Sequence, residues 1–348
     1  MTTNAALAEP TRILIFLSGI IIVLAGMKAA SSIVAPIAFS VFLAVIFGML
    51  FYWLEKKGLP TRLALLATLA TFFAIIAVFV VVIVGSLFRI LAEIPTYQVD
   101  LEKNLGLVAP YLNAVGFDPA WLSIPNLVRF LAGNAGGFAA GFLDMVIVFF
   151  IIILTTVFLI LEAGGFSAKI RGVIGTYRPG DMDRFTLLAR KNVDYIVVRT
   201  EVNLAMGVGT ALLLTVIGVE YAIFWGFLAF LLGFIPYVGF WLAVIPPMLL
   251  AWFQISPLAA IAVLAGCAVI NTLVEYVMFP QIAGRSLSLS PAVVFISLFF
   301  WGFILGGIGV LIAVPLTLTV QMISELFEET RWIAVLLGPS PKEERGKA

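Results

Sequence analysis

Few side chains in this chain could do chemistry, and most of them stand inside apolar runs. Glu275 lies in VINTLVEYVMFPQIAGR (269–285), one helical turn after Asn271, so a helix puts both on one side. In hydrocarbon such a carboxylate costs about 2.5–3.5 kcal/mol on insertion scales, and groups of this kind mark solute or ion paths. Glu275 could carry a proton or a cation, or could pair with Arg285. Gln281, Ser286, Ser288 and Ser290 could hydrogen-bond a polar solute or satisfy interrupted backbone, and Arg285 would lie near the same path. Arg199, Thr200 and Glu201, with Asn203 close by, stand where a polar helix enters an apolar one. They are candidates for a cytoplasmic gate or hinge, with interfacial anchoring as the plainer reading. Glu220 and Gln254 sit at the ends of apolar runs and read as interfacial.

Other chemistry is excluded. The chain contains no histidine, which rules out a His-liganded metal centre, a Ser-His-Asp triad and an imidazole proton relay. Cys267, the only cysteine, sits in an apolar run and reads as a packed core residue. No Walker A, GxGxxG or kinase-type signature occurs, so neither nucleotide hydrolysis nor a bound cofactor is expected. No Ser-Lys, Asp-Asp or metal-binding pair recurs at helical spacing within a span, which disfavours an intramembrane enzyme.

The elements that hold these residues are set by composition. The chain has 348 residues, 63% hydrophobic and 11% charged, with a mean hydropathy of +1.17. Soluble domains are about 45–50% apolar and about 25% charged, and a globule of this size needs a wetted surface that this composition cannot supply. Lipid is therefore the expected solvent. A net charge of +1 carries no nucleic-acid footprint.

A crossing needs about 20 apolar residues. Residues 13–30 and 33–54 read as two spans joined by a tight turn through Ser31, Ser32 and Pro36, the first retained rather than cleaved as a signal peptide. Residues 63–88 and 138–161 form a third and a fourth, and 202–219 a fifth. The expected organisation is a three-span scaffold (1–91), an extracytoplasmic amphipathic segment (92–135), a fourth span (136–162) and a basic cytoplasmic helical loop (163–200). A transport half (201–325) and a cytoplasmic tail (326–348) follow. Loop 163–200 has seven basic residues against three acids, which with the positive-inside rule puts it and both termini in the cytoplasm. In 183–199, Phe185, Leu188 and Tyr195 share one face, with Arg184, Lys191, Asp194 and Arg199 read as lying elsewhere.

Two segments, 222–253 and 291–324, are too long for one level span, and both break near the middle. The first breaks at Phe-Ile-Pro-Tyr-Val-Gly (234–239, with Pro236 and Gly239) and the second at Leu-Gly-Gly-Ile-Gly (305–309, with Gly306, Gly307 and Gly309). Arms of about 15 residues rise roughly 22 Å, short of a hydrocarbon core of about 30 Å. Two re-entrant helical hairpins are therefore expected, and such breaks commonly mark transport sites. The alternative is a tilted, kinked full span for each. The fold class is all-α and polytopic, with about six spans plus two hairpins, or eight spans.

The C-terminal half resembles the autoinducer-2 exporter family of bacterial permeases. The residues that carry this are Thr200, the 234–239 string, Ile245-Pro246-Pro247-Met248, Pro280-Gln281-Ile282-Ala283-Gly284-Arg285-Ser286-Leu287, Leu289-Ser290-Pro291-Ala292-Val293-Val294 and Gly309-Val310-Leu311-Ile312-Ala313-Val314-Pro315-Leu316. Many members carry a His where Ser290 stands and polar side chains where Tyr276 and Phe279 stand. The resemblance implies an inner-membrane permease built as a homo-oligomer, with a pentamer as the candidate assembly. It points to export of the quorum-sensing signal autoinducer-2 or to sodium/proton exchange. The leading expectation is a secondary transporter of a small polar solute, with the hairpins moving against the early spans. A cation antiporter with H+ or Na+ at Glu275 and a non-transporting structural membrane protein are the rivals.

Overall fold

The structure, a computed structural model, describes residues 9–78, 80–81, 85, 146–162, 165, 169, 172, 182–283 and 289–339. The amphipathic segment expected over 92–135, the start of the fourth span, and Arg285, Ser286 and Ser288 lie outside the described residues.

Described residues are helical throughout, apart from short connections. α1 (Glu9–Ala29) meets α2 (Ser31–Lys56) at a one-residue corner, Ala30. The expected turn through Pro36 is not there: Pro36 lies inside α2. It falls early in the helix, where the missing N–H removes one bond near a terminus. Its carbonyl accepts a hydrogen bond from the buried Ser40 hydroxyl at 2.7 Å, and the same hydroxyl lies 3.1 Å from the Ile152 carbonyl. α3 (Thr61–Val78) and α4 (Val146–Glu162) complete an N-terminal scaffold, packed on α2 through Phe47, Phe72 and Ile160.

α5 (Met182–Ile217) is a single 36-residue helix that fuses the expected cytoplasmic helix with the fifth span. At 1.5 Å per residue it is about 54 Å long, so part of it must stand outside a core of about 30 Å. After it comes the first hairpin, α6 (Ala222–Leu232) and α7 (Val238–Gln254). Glu220 and Gln254 hydrogen-bond to each other, so the two ends of this hairpin lie together. α6 has 11 residues, too few to cross the hydrocarbon. Close backbone contact fixes α6 on α5: a Cβ on Gly207 would stand 2.7 Å from the Gly226 carbonyl oxygen. Within the hairpin, a Cβ on Gly239 would stand 1.8 Å from the Leu232 carbonyl oxygen, so only glycine fits there.

α8 (Pro257–Thr272) starts with Ser256 as its cap, the hydroxyl accepting from the Ala259 N–H at 3.2 Å, and with Pro257 at the first position. It continues through a π-helical turn, Leu273–Met278, and ends at Phe279–Ala283. α9 (Pro291–Leu311) breaks at Gly306 (φ 69°, ψ −154°), a conformation essentially confined to glycine, and α10 (Ala313–Leu326) returns beside it. The Trp301 indole N–H donates to the Thr317 hydroxyl at 2.9 Å across this second hairpin. A Cβ on Gly309 would stand 2.1 Å from the Trp301 carbonyl oxygen. The chain then folds back as α11 (Arg331–Leu337), whose Leu337 carbonyl accepts the Ser290 N–H at 3.1 Å.

The two tips come together. Ile235 of the first shares one apolar cluster with Leu298, Trp301, Leu305 and Ala313 of the second and with Ala35 of α2. Outward-facing positions stay apolar, as with Val216 at 86% exposure and Phe303 at 70%, which fits a surface wetted by lipid. Five described helices are long and apolar enough to cross a membrane: Ser31–Lys56, Thr61–Val78, Phe185–Ile217, Pro257–Ile282 and Pro291–Leu311. The protein is an all-α, multi-pass membrane protein.

Gly306→Ala is expected to lower stability by about 1–3 kcal/mol through backbone strain alone, since nothing lies within 4 Å of the position its Cβ would take. Gly307→Ala, equally open but without a positive φ, should melt like the parent. Thermal unfolding in detergent separates the two, and equal midpoints would show that the kink does not require glycine.

Candidate functional site

α5 carries a polar face. Asn192, Tyr195, Arg199, Asn203 and Thr210 follow one another at intervals of three, four, four and seven residues, which places all five on one side of a helix. Tyr195, Arg199, Asn203 and Thr210 are buried and Asn192 is half-buried. Arg199 therefore shares the face of Tyr195, contrary to the expectation that it lay elsewhere. Of these residues, Arg199 and Asn192 are held by partners from the hairpins and from the continuation of α8.

Arg199 is the centre of the arrangement. Its guanidinium meets the Glu275 carboxylate with two contacts, Nη2 to Oε1 at 2.8 Å and Nη1 to Oε2 at 3.0 Å. This is the forked geometry that makes Arg–carboxylate pairs strong. The other edge of the guanidinium donates to the Gly233 carbonyl, from Nε at 3.0 Å and also from Nη2. The Phe279 ring stands 5.6 Å from the guanidinium carbon, within reach of a cation–π contact. Arg199 is 5% exposed, while the Glu275 side chain is 28% exposed and forms the accessible end of the pair.

Each partner has a local reason to be there. Gly233 ends α6 and closes back on it, its N–H donating to the Ala229 carbonyl at 2.9 Å. Asn203 packs against it so tightly that a Cβ on Gly233 would stand 2.6 Å from Asn203 Oδ1. Glu275 lies in the π-helical turn, where an extra residue per turn re-aims the side chains that follow; such turns are frequent at functional sites. The turn ahead of α7 is strained. Tyr237 has φ 64° and ψ −46° and centres a γ-turn closed by Val238 N–H on the Pro236 carbonyl at 2.7 Å, a rare geometry for a bulky residue.

The same face of α5 also reaches the second hairpin. Asn192 Nδ2 donates to the Thr319 hydroxyl at 2.7 Å, with the Pro315 carbonyl at 3.4 Å. α5 thus touches both hairpins through polar groups.

The sequence candidates divide. Glu275 and Arg199 meet, and Asn271 is half-buried one turn before Glu275. Pro236 and Gly239 belong to the first tip, and Gly306 and Gly309 form the second break, whereas Gly307 needs no special conformation. Thr200 donates to the Ile196 carbonyl of its own helix at 2.7 Å and Glu201 is exposed, so neither joins the bridge. Gln281 is exposed, and Ser290 is half-buried at the start of α9. Arg285 and Ser286 fall outside the described residues, so the offered Glu275–Arg285 pairing is not among the described contacts, and Glu275 pairs with Arg199. Sequence reasoning missed Tyr195, Asn192 and the Gly233 carbonyl. The spacing of Asn192, Tyr195, Arg199 and Asn203 was a signal that could have found the first two; a backbone oxygen leaves none.

The chain matches the model of the AI-2E transporter family over residues 15–329. It is 31% identical to the AI-2 transport protein TqsA of Escherichia coli K12, covering 95% of this chain and 97% of that one. It is also 31% identical to a putative transport protein of Haemophilus influenzae, covering 94% and 96%. Against the putative transport protein YhhT of Escherichia coli K12 it is 26% identical, covering 96% of each.

Removing one member of a buried pair leaves the other uncompensated, at a cost of about 3–5 kcal/mol. Glu275→Gln is expected toward the low end of that range because the carboxylate is 28% exposed. The double variant Arg199→Met with Glu275→Leu should lose less than the sum of the singles. Denaturation in detergent reads all of these; strictly additive losses would mean the two groups do not support each other.

Proposed function

The chain belongs to the AI-2E family of transporters, and from that premise we propose that it is a secondary-active permease for a small polar solute in the bacterial inner membrane. The observation that carries this is the Arg199–Glu275 bridge capped by the Gly233 carbonyl. An ion pair held in apolar surroundings and bonded to the tip of a short-armed hairpin is a site where a solute can compete for the tip. Displacing the carbonyl would free the first hairpin, and the second, which shares its apolar cluster, would follow. Access then alternates as the hairpins move against the scaffold of α2, α3 and α4. Arg199, rather than the Arg199–Thr200–Glu201 string, is the gate; Asn271, Glu275, Gln281, Arg285, Ser286 and Ser290 line or flank the path.

Exchange of H+ or Na+ at Glu275 is the weaker reading. The carboxylate already faces a guanidinium that does not deprotonate, so a metal cation would have to sit beside a fixed positive charge. A purely structural role gives no reason for two helix breaks whose tips meet. Export of autoinducer-2, the solute in the name of the Escherichia coli relative, is the first flux to test. The seven basic residues of 163–200 support cytoplasmic termini, and the family resemblance supports a homo-oligomer, a pentamer being the candidate.

Vesicles reconstituted with the protein should move autoinducer-2 or another small polar solute under an imposed ion gradient, and Glu275→Gln should slow that flux at least tenfold, about 1.4 kcal/mol of barrier. Absence of flux for every solute in a broad panel would remove the permease reading, and undiminished flux in Glu275→Gln would remove the bridge from it. Because Cys267 is buried, an Arg285→Cys variant offers one reactive thiol. Labelling from the cytoplasmic side is expected if the hairpins turn back within the membrane, and labelling from outside would mean that they cross it.

A further inference from the structure

We infer that the Arg199 fork and the Asn203 amide form a binding subsite for a small zwitterion, a molecule carrying one carboxylate and one ammonium, whose arrival displaces the Gly233 carbonyl. The inference rests on the reading that the bridge lies on the solute path, and it names the class of solute.

One edge of the guanidinium is underfilled. Both Nε and Nη2 point at a single oxygen, that of Gly233. Two parallel N–H donors match the two oxygens of a carboxylate, and one carbonyl oxygen is a poor substitute. One helical turn further along α5, Asn203 is 0% exposed, and neither its Oδ1 nor its Nδ2 has a hydrogen-bond partner. An amide left wholly unsatisfied in the interior is rare and calls for an explanation. Its two polar atoms face the position that Gly233 occupies, where a Cβ would stand 2.6 Å from Oδ1 and 3.1 Å from Nδ2. Once Gly233 moves, the amide N–H and the guanidinium edge open onto the same space. The tip is already strained at Tyr237, so its release relieves a stressed turn.

Charge selects the class. Arg199 and Glu275 neutralise each other, so a lone anion would leave the site with an extra negative charge and a lone cation would meet the guanidinium. A zwitterion supplies both needs. Its carboxylate takes the Arg199 edge and the Asn203 N–H, and its ammonium takes the Glu275 carboxylate, the exposed member of the pair. The site stays neutral throughout.

The test uses the purified full-length protein. The twenty protein amino acids are screened for a rise in melting midpoint, and the strongest is compared with its N-acetyl and carboxamide derivatives, which keep one charge each. At least one free amino acid should bind, and each blocked derivative at least about tenfold more weakly. Asn203→Leu fills a similar volume and removes the unsatisfied amide. It should raise the melting midpoint of the empty protein while weakening amino-acid binding about tenfold or more; a merely structural Asn203 would shift the midpoint and leave affinity alone. Failure of all the amino acids to bind, equal binding of the blocked derivatives, or full affinity in Asn203→Leu would each overturn the inference. Autoinducer-2 flux that persists undisturbed by bound or added amino acids would sink this inference and leave the permease reading standing.

Discussion

Everything at the centre of this protein depends on one buried cation. Arg199 cannot lose its charge, and its side chain is almost completely removed from solvent. Three elements far apart in sequence must therefore converge on it. α5 supplies the guanidinium, the π-helical turn after α8 supplies the carboxylate, and the end of α6 supplies a carbonyl. Burying such a pair adds little net stability compared with apolar packing, whereas breaking it is expensive. The bridge is better understood as a device that specifies one arrangement and resists partial opening.

Glycine makes that convergence possible. Gly207 and Gly226 bring α6 against α5, and Gly239 lets α7 turn past the Leu232 carbonyl. In the second hairpin, Gly309 allows the same closeness to the Trp301 carbonyl. Backbones approach within reach of each other where a methyl group would collide, which is how helices pack when the surrounding lipid is as apolar as their side chains. Gly306 has a different task, since its backbone conformation, rather than its space, is what other residues cannot adopt.

Much of the architecture was legible in the chain. Charge-free runs located the helices, and the Pro236 and Gly306 regions announced the breaks, because a missing N–H and a missing Cβ act within a few residues of where they stand. Pro36 misled for a related reason: near the start of α2 a proline removes one helical bond and the helix tolerates it. The site was half visible. Glu275 was conspicuous as a carboxylate in oil. Its partner Arg199 stands 76 residues back, where nothing in the sequence near Glu275 points. Arg199, Thr200 and Glu201 looked like a unit because they are adjacent, although successive helical residues point about 100° apart, so only Arg199 faces inward.

By itself, then, the amino-acid order determined the solvent, the all-α class and the regions where the two later apolar segments break. Each of these follows from composition or from interactions spanning no more than a turn or two of helix. Only the tertiary structure decided which groups meet the polar face of α5: that Glu275 and the Gly233 carbonyl complete the Arg199 shell, that Thr319 meets Asn192, and that the two hairpin tips share one apolar cluster. Those pairings are between groups tens of residues apart. Their energies depend on distance and burial in three dimensions, which no local periodicity encodes.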